Sequence, residues 1–478
     1  MKIENCKIIF FGGVGEATGA NIMLEYNQRK LLIDCGLLQG LKEKEETNFL
    51  PFKYNPEKVE FLLITHAHMD HIGKIPKLVR DGFRGRIIST TATMEIARPM
   101  LEDAFRVMQS KNSDKLLYSE EDIEKTFSFW RGHKYHEKIE LFENCSVEMQ
   151  DAGHILGSAI IKLNCGSATF AFTGDLGNSP SPLLPDTEFI TDADYIIMES
   201  VYGDRNHENR NERRSKLKRI ILDGIKRNGT IVIPAFSIER TQVLLYELNN
   251  MVEDGEIPSI PVYIDSPLAN TVTAIYKKHT DLFKKEVRDE IKAGDDIFNF
   301  PKLTITHSHF ESVELEKISG AKIILAGSGM SEGGRVVNHE MHYLPDSKAT
   351  IILPGYQGIG TLGRFLEEGV KEITPSSPPL TLRGGREEHS GFQNKIKVRA
   401  KIEKISGYSA HADSDHLLEF VEKASESNGS TSLTTRKLRK VFVIMGEPKA
   451  SLFLVQRIRE YLGVNAIFPE QEKIYELT

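Results

Sequence analysis

The chain opens on short apolar runs divided by polar turns: KIIFF (7–11), NIMLEY (21–26) and KLLIDCG (30–36). Runs of this length, bounded by Gly, Asn and charged residues, predict strands. The glycine-rich GGVGEATG (12–19) between the first two reads as a tight turn. It is not a dinucleotide fingerprint, because its third glycine is misplaced and a strand rather than a helix follows. VEFLLIT (59–65) and RIIST (86–90) predict two more strands, with a helix-like IPKLVRDG between them. A polar helical stretch runs from about 93 to 130, and ATFAFTGD (168–175) and ADYIIMES (193–200) return to strand. Alternating strands and helices predict α/β layers.

From Tyr202 the pattern changes. The stretch 205–227 is a charged helix carrying nine Lys/Arg, the composition of a solvated face. GTIVIPAF, a helix from about 239, PVYIDSPLA, AKIILAGSGM (321–330) and KATIILPGYQ (348–357) follow with little polar alternation. Such continuous apolar runs suit a parallel sheet covered on both faces, hence a second α/β domain. The segments TPSSPPLTLRGGREEHSG (374–391, with His389) and SESNGSTSLTTRKLRK (425–440) read as exposed loops.

At 478 residues the chain is too long for one ordinary core. No apolar run reaches the roughly 20 residues of a membrane span. The start, MKIENCKIIFFGG, lacks the basic and apolar regions of a signal peptide and predicts the first strand of a cytoplasmic protein. Cys6, Cys35, Cys145 and Cys165 stand far apart without a CxxC pair, which predicts packed free thiols. A net charge of −7 argues against gross attraction to nucleic acid, while leaving room for a local basic groove.

The chemistry concentrates in HAHMDH, where His66, His68, Asp70 and His71 crowd onto one turn after a strand. Residues 66 and 68 point the same way from a strand end, so two imidazoles can converge on one ion. Asp70 and His71 then sit on the following turn, placed to serve a second ion nearby. His207, His339 and His342 have no spacing that marks them as ligands.

HxHxDH resembles the signature of the metallo-β-lactamase superfamily, and further signatures follow in order. Asp34 in LLIDCG, His154 in DAGHILGSA and Asp175 in FTGD match its other motifs. The resemblance implies that His66, His68 and His154 hold one ion and that Asp70 and His71 hold the other. It also implies that Asp175 bridges the two and that Asp34 supports the metal loop from behind. The implied ions are two divalent metals, Zn²⁺ or Mn²⁺.

Later motifs resemble the β-CASP nucleases: MESVYGDR with Glu199, PAFSIERTQVLLYEL with Arg240, DSPLA, AGSGMSEGGR with Ser328, Ser331 and Arg335, GYQGIGTLGR, and GYSAHAD with His411. The chain is most similar to bacterial relatives of the endonuclease subunit that cleaves messenger RNA precursors. The implied fold is α/β: a metallo-β-lactamase αββα sandwich over 1–203 and 371–478, with an inserted α/β β-CASP domain over 204–370. The implied activity is hydrolysis of single-stranded RNA by metal-bound hydroxide, leaving 5′-phosphate ends. Asp70, Glu199 and His411 are the catalytic residues, His411 giving a proton to the departing 3′ oxygen. Ser328, Ser331, Arg240 and Arg335 are the substrate contacts. A homodimer and the absence of a membrane partner belong to the same expectation. One position departs from the pattern: VFVIMGEPK puts Met445 where relatives carry a histidine. A thioether is a poor ligand for Zn²⁺ or Mn²⁺. Met445 therefore motivates two alternatives, a structure-selective DNA nuclease and a catalytically weakened scaffold.

Overall fold

The apolar runs that open the chain become one edge-to-edge sheet. The computed structural model describes residues 6–40, 42–110, 115–208, 210–358, 360–374, 395–426 and 438–477. The two loops expected at 374–391 and 425–440, His389 among them, lie largely or wholly outside these residues. By contact the chain divides into two units, one of residues 1–105, 115–206 and 411–478, the other of 106–114 and 207–410.

In the first unit, seven strands lie in the spatial order Ile474–Leu477, Cys6–Gly12, Asn21–Tyr26, Arg29–Ile33, Val59–Leu63, Arg86–Thr90, Trp130–His133. A second seven-stranded sheet runs Ala466–Ile467, Lys440–Val443, Tyr195–Met198, Ala168–Phe172, Ala159–Cys165, Cys145–Asp151, Ile139–Phe142. Their inner faces share one core, in which Phe10, Leu24, Leu31 and Leu63 pack with Val147, Leu163, Phe170 and Phe442. The rings of Phe10 and Phe442 meet at 5.4 Å. Burying each such side chain contributes about 1.5–3 kcal/mol. The outer face of the second sheet is covered by the helices Ser414–Ser425 and Pro448–Leu462, through Leu417, Phe420, Leu454 and Ile458. Among the described residues no helix is long and apolar enough to cross a membrane.

The polar stretch 93–130 is two helices, Thr91–Ser110 and Glu120–Phe129, the second started by a capping box at Ser119. The strands between 130 and 165 escaped the reading of apolar runs because they alternate: in CSVEMQD, Cys145, Val147 and Met149 face inward, and Glu148 and Gln150 are partly exposed. The same register sets Cys145 opposite Cys165, where the two are joined as a disulfide with Cα atoms 4.3 Å apart. The expectation of free thiols is corrected for this pair, and Cys6 and Cys35 are free and buried.

In the second unit the six-stranded sheet is parallel throughout, in the order Leu303–Ile305, Val262–Asp265, Lys322–Ala326, Thr230–Pro234, Thr350–Leu353, Lys401–Lys404, and a short antiparallel pair joins Glu372–Ile373 to Ile396–Lys397. The central strand Lys322–Ala326 and its neighbour Thr230–Pro234 are buried throughout, which is why their sequences lack alternation. Lys401–Lys404 joins this sheet beside Thr350–Leu353, and the second compact unit runs to Ala410. Within the first unit, the points where the chain departs and returns are tied together. Asn206 donates to the Asp415 carboxylate at 2.6 Å, and Asp415 N–H donates to Asn206 Oδ1 at 3.1 Å.

The turn carrying HAHMDH is held by the segment after strand Arg29–Ile33. Cys35 N–H donates to His71 O at 2.7 Å, Leu37 N–H to Met69 O at 3.0 Å, and Ala20 N–H to Asp70 O at 2.9 Å. Gly36 makes this approach possible, since a Cβ there would lie 1.5 Å from Asp70 O. Gly36→Ala is therefore expected to destabilise the first unit by about 1–3 kcal/mol, an overpacking cost read by denaturant unfolding. An unchanged midpoint would show that the two segments part without penalty.

Candidate active site

Asp34 follows strand Arg29–Ile33 in a left-handed backbone conformation (φ 59°), rare for a residue with a side chain. The strain is held by its bonds. Asp34 Oδ1 accepts from Thr65 N–H at 2.9 Å, and Oδ2 accepts from Thr65 Oγ1 at 2.8 Å and His71 Nδ1 at 2.7 Å. The last bond fixes a proton on His71 Nδ1 and turns Nε2 toward Asp175 and Asp70. Thr65 Oγ1 in turn stands 3.1 Å from His66 Nδ1, so His66 presents its own Nε2 forward. Thr65 was not singled out from sequence, and its place directly before the histidine cluster was the available signal.

Three imidazole nitrogens converge: His66 Nε2 and His154 Nε2 stand 3.1 Å and 3.2 Å from His68 Nδ1. Asp175 joins them with Oδ2, 3.4 Å from His66 Nε2 and 3.6 Å from His154 Nε2. Its other oxygen, Oδ1, lies 3.5 Å from His71 Nε2, and Asp70 Oδ2 is 3.7 Å from the same nitrogen. Burial, helped by the neighbouring imidazoles, holds His68 and His154 well below the ordinary histidine value, hence neutral with lone pairs available. Burial also favours a neutral Asp175, but His71, His66 and His411 outweigh it and keep the carboxyl well below its usual range. For His71, the carboxylates of Asp175, Asp70 and Asp34 overcome burial and raise it well above the ordinary value. The site asks for positive charge.

Two of these atoms, His71 Nε2 and Asp175 Oδ1, are buried without a hydrogen-bond partner among the described residues. Asp175 Oδ1 is an acceptor, and His71 Nε2 becomes one when a cation takes the place of the proton that the surrounding carboxylates favour there. The ligand atoms of His66, His68, His154 and Asp175 lie within 4.8 Å of one another, as do those of Asp70, His71 and Asp175. The donor set fits divalent metal.

Glu199, at the end of strand Tyr195–Met198, and His411 complete the cluster. Glu199 Oε1 accepts from Leu176 N–H at 2.6 Å, and its carboxylate lies 3.3 Å from His411 Nδ1. Burial pushes His411 down, yet Glu199 and Asp175 together carry it up to about 9. Met445, also in left-handed backbone (φ 47°), is buried in the core between the sheets, beside Gly13.

The remaining predicted residues lie in the second unit. Arg240 is buried at the start of helix Arg240–Glu253. Arg335 Nη1 donates to Asp265 Oδ1 at 2.6 Å, beside His339, whose Nε2 is 2.7 Å from Oδ2 of the same carboxylate. Ser328 is half-buried in the loop before helix Arg335–Tyr343. Ser331 is turned inward and donates to Glu340 at 2.6 Å, so its hydroxyl is not offered to solvent.

Comparison with known proteins is consistent along the chain. Residues 23–194 match a metallo-beta-lactamase superfamily domain, 241–366 a Beta-Casp domain, and 395–469 a Zn-dependent metallo-hydrolase RNA specificity domain. Ribonuclease TTHA0252 of Thermus thermophilus is 33% identical over 416 residues, 87% of this chain and 90% of that protein. An RNase J-like protein of Methanocaldococcus jannaschii is 29% identical, covering 96% of this chain and 97% of its own length. The transcription termination factor FttA of Methanosarcina mazei is 27% identical, covering 97% and 70%. A crystal structure of a protein of unknown function from Enterococcus faecalis shares the fold, with a TM-score of 0.55 at 12% identity, over 99% of this chain and 100% of that one.

The bond from His71 to Asp34 generates a test. Asp34→Ala is expected to lower divalent-metal affinity about 10–100-fold, because a freed His71 no longer presents Nε2. Competition against a coloured chelator measures it, and unchanged affinity would show that packing alone orients the ring.

Proposed function

From the premise that this chain belongs to the β-CASP family of the metallo-β-lactamase superfamily, we propose that it is a metal-dependent ribonuclease hydrolysing phosphodiester bonds of single-stranded RNA and leaving 5′-phosphate ends. The observation that carries this reading is the division of Asp175, one oxygen toward three imidazoles and the other toward His71. The matched RNA specificity segment and the ribonucleases among its relatives favour RNA over DNA.

In this reading His66, His68 and His154 would hold one divalent ion and Asp70 and His71 a second, with Asp175 placed to serve either. Three imidazoles and a carboxylate favour Zn²⁺ in the first position, and the more oxygen-rich second set suits Mn²⁺ equally. When bound, such ions supply water activated near neutral pH and offset charge on the scissile phosphate. His411 holds a proton for the leaving group. Its Nδ1 faces Glu199, so the Nε2–H is the one presented outward. As the bond from phosphorus to the 3′ oxygen breaks, that oxygen takes the Nε2 proton; the hydroxyl of the attacking water remains on the 5′ phosphate, and its other proton is released to solvent, from which His411 is recharged. Glu199, anchored by Leu176 N–H, keeps the imidazole charged until transfer. Arg240, Arg335, Ser328 and the backbone of the 327–334 loop are assigned to the RNA backbone. A cytoplasmic, homodimeric enzyme completes the proposal.

Matched single-stranded RNA and DNA, internally labelled, test it in the presence of Zn²⁺ or Mn²⁺. Wild type is expected to cut RNA alone, and His411→Ala to slow cutting about 10²–10⁴-fold with metal content intact. Equal cutting of DNA would replace ribonuclease by a general nuclease, and a fully loaded yet inert wild type would make the chain a scaffold. A further variant, Asp175→Ala, is expected to lose activity and at least one ion by elemental analysis. Retention of both ions would remove the bridging role.

A further inference from the structure

The loop from Gly327 to Gly334, which leads into helix Arg335–Tyr343, is almost all backbone on its inner side. A Cβ on Gly329 would lie 2.5 Å from the Phe236 ring, and one on Gly334 would lie 2.6 Å from Gly327 O. Gln357 Nε2 donates to Gly329 O at 3.1 Å, and Val336 N–H to Gly327 O at 3.1 Å. Ser331 is the loop's own inward side-chain tie. It sits in left-handed backbone (φ 59°), is 1% exposed, and donates through Oγ to Glu340 Oε1 at 2.6 Å.

Glu340 is 0% exposed on the inner face of its helix, and its Oε2 has no hydrogen-bond partner among the described residues. The charged groups nearest in sequence turn elsewhere. His339 and Arg335 both engage Asp265, as do Thr306 and Ser312 from neighbouring segments. From the loop Ser331 reaches the carboxyl, while Val336 and Val337 on the same helix and Leu344 just past its end belong to one buried apolar cluster. A buried carboxyl that meets one hydroxyl and no cation is stable only as the neutral acid. Burial accordingly raises it from 4.5 to about 8, against the opposing effect of the Ser331 bond.

We propose that Glu340, as an uncharged carboxylic acid, is a positioning residue for RNA binding: through Ser331 it fixes the 327–334 loop, and its ionisation releases that loop. The inference rests on the reading of this loop as an RNA-backbone contact. Ionisation strengthens the bond from Ser331 but leaves a bare charge among apolar side chains. Hydrating Oε2 then requires helix and loop to part. The linkage runs in one direction. The folded value lies above the unfolded one, so the stability conferred by the protonated group is complete below about 4.5 and is lost as pH rises through about 8.

The test uses metal-free full-length protein in chelator and a fluorescein-labelled single-stranded RNA, with affinity read by anisotropy on both sides of the ionisation. If only the neutral form is competent, wild-type Kd weakens about tenfold at one pH unit above the midpoint. Glu340→Gln, which keeps shape and neutrality, is expected to bind at neutral pH and to lose that dependence. Ser331→Ala is expected to bind weakly throughout. The same pH dependence in Glu340→Gln, or none in wild type, would overturn the proposal. Absence of RNA binding by wild type at neutral pH would instead count against the RNA-contact reading. The brace is then judged alone by urea unfolding, in which wild type should lose stability relative to Glu340→Gln as pH rises from about 4.5 to about 8. A constant difference would refute it.

Discussion

The carboxylate of Asp34 is the constraint on which the metal-competent site depends. It holds Thr65 by two bonds and His71 by one, and those two residues carry the orientation of nearly everything else. Thr65 turns His66 by its hydroxyl, and the bond to His71 Nδ1 aims Nε2 of that ring at Asp175. Removing one partner from a buried ionic network of this kind costs about 3–5 kcal/mol, because the others are left uncompensated. That stabilisation offsets the left-handed backbone at Asp34 and the crowding of acceptors in front of it.

Much of the site was legible because its donors lie in short contiguous words. HAHMDH carries four candidate donors on one turn, and the motifs of Asp34, His154 and Asp175 each end a strand or begin a loop where side chains converge. The pairing of Glu199 with His411 is a different matter. It spans 212 positions and is made by the register of Gly177 against His411, which no local pattern encodes. The resemblance supplied that pair, and the geometry supplies its bond. Continuous apolar runs likewise revealed the parallel sheet of the second unit. The antiparallel strands between 130 and 165 were hidden because half their side chains are polar, and the disulfide was hidden with them.

Met445 shows how a departure from pattern is absorbed. Its side chain belongs to the core between the two sheets, and its backbone carbonyl accepts from Ser200 N–H at 3.1 Å. Ser331 carries the converse lesson. A serine in a glycine-rich loop suggests a hydroxyl offered to a ligand, but a positive φ turns this one toward a buried acid.

The reciprocal bonds between Asn206 and Asp415 place the two crossings of the chain side by side within the first unit. Strands before 206 and after 411 then complete the same two sheets, so the intervening segment interrupts the sequence without interrupting the sandwich. In evolutionary terms that junction is a socket. A change in the length of the segment 207–410 made at that junction leaves the strand order of both sheets as it is.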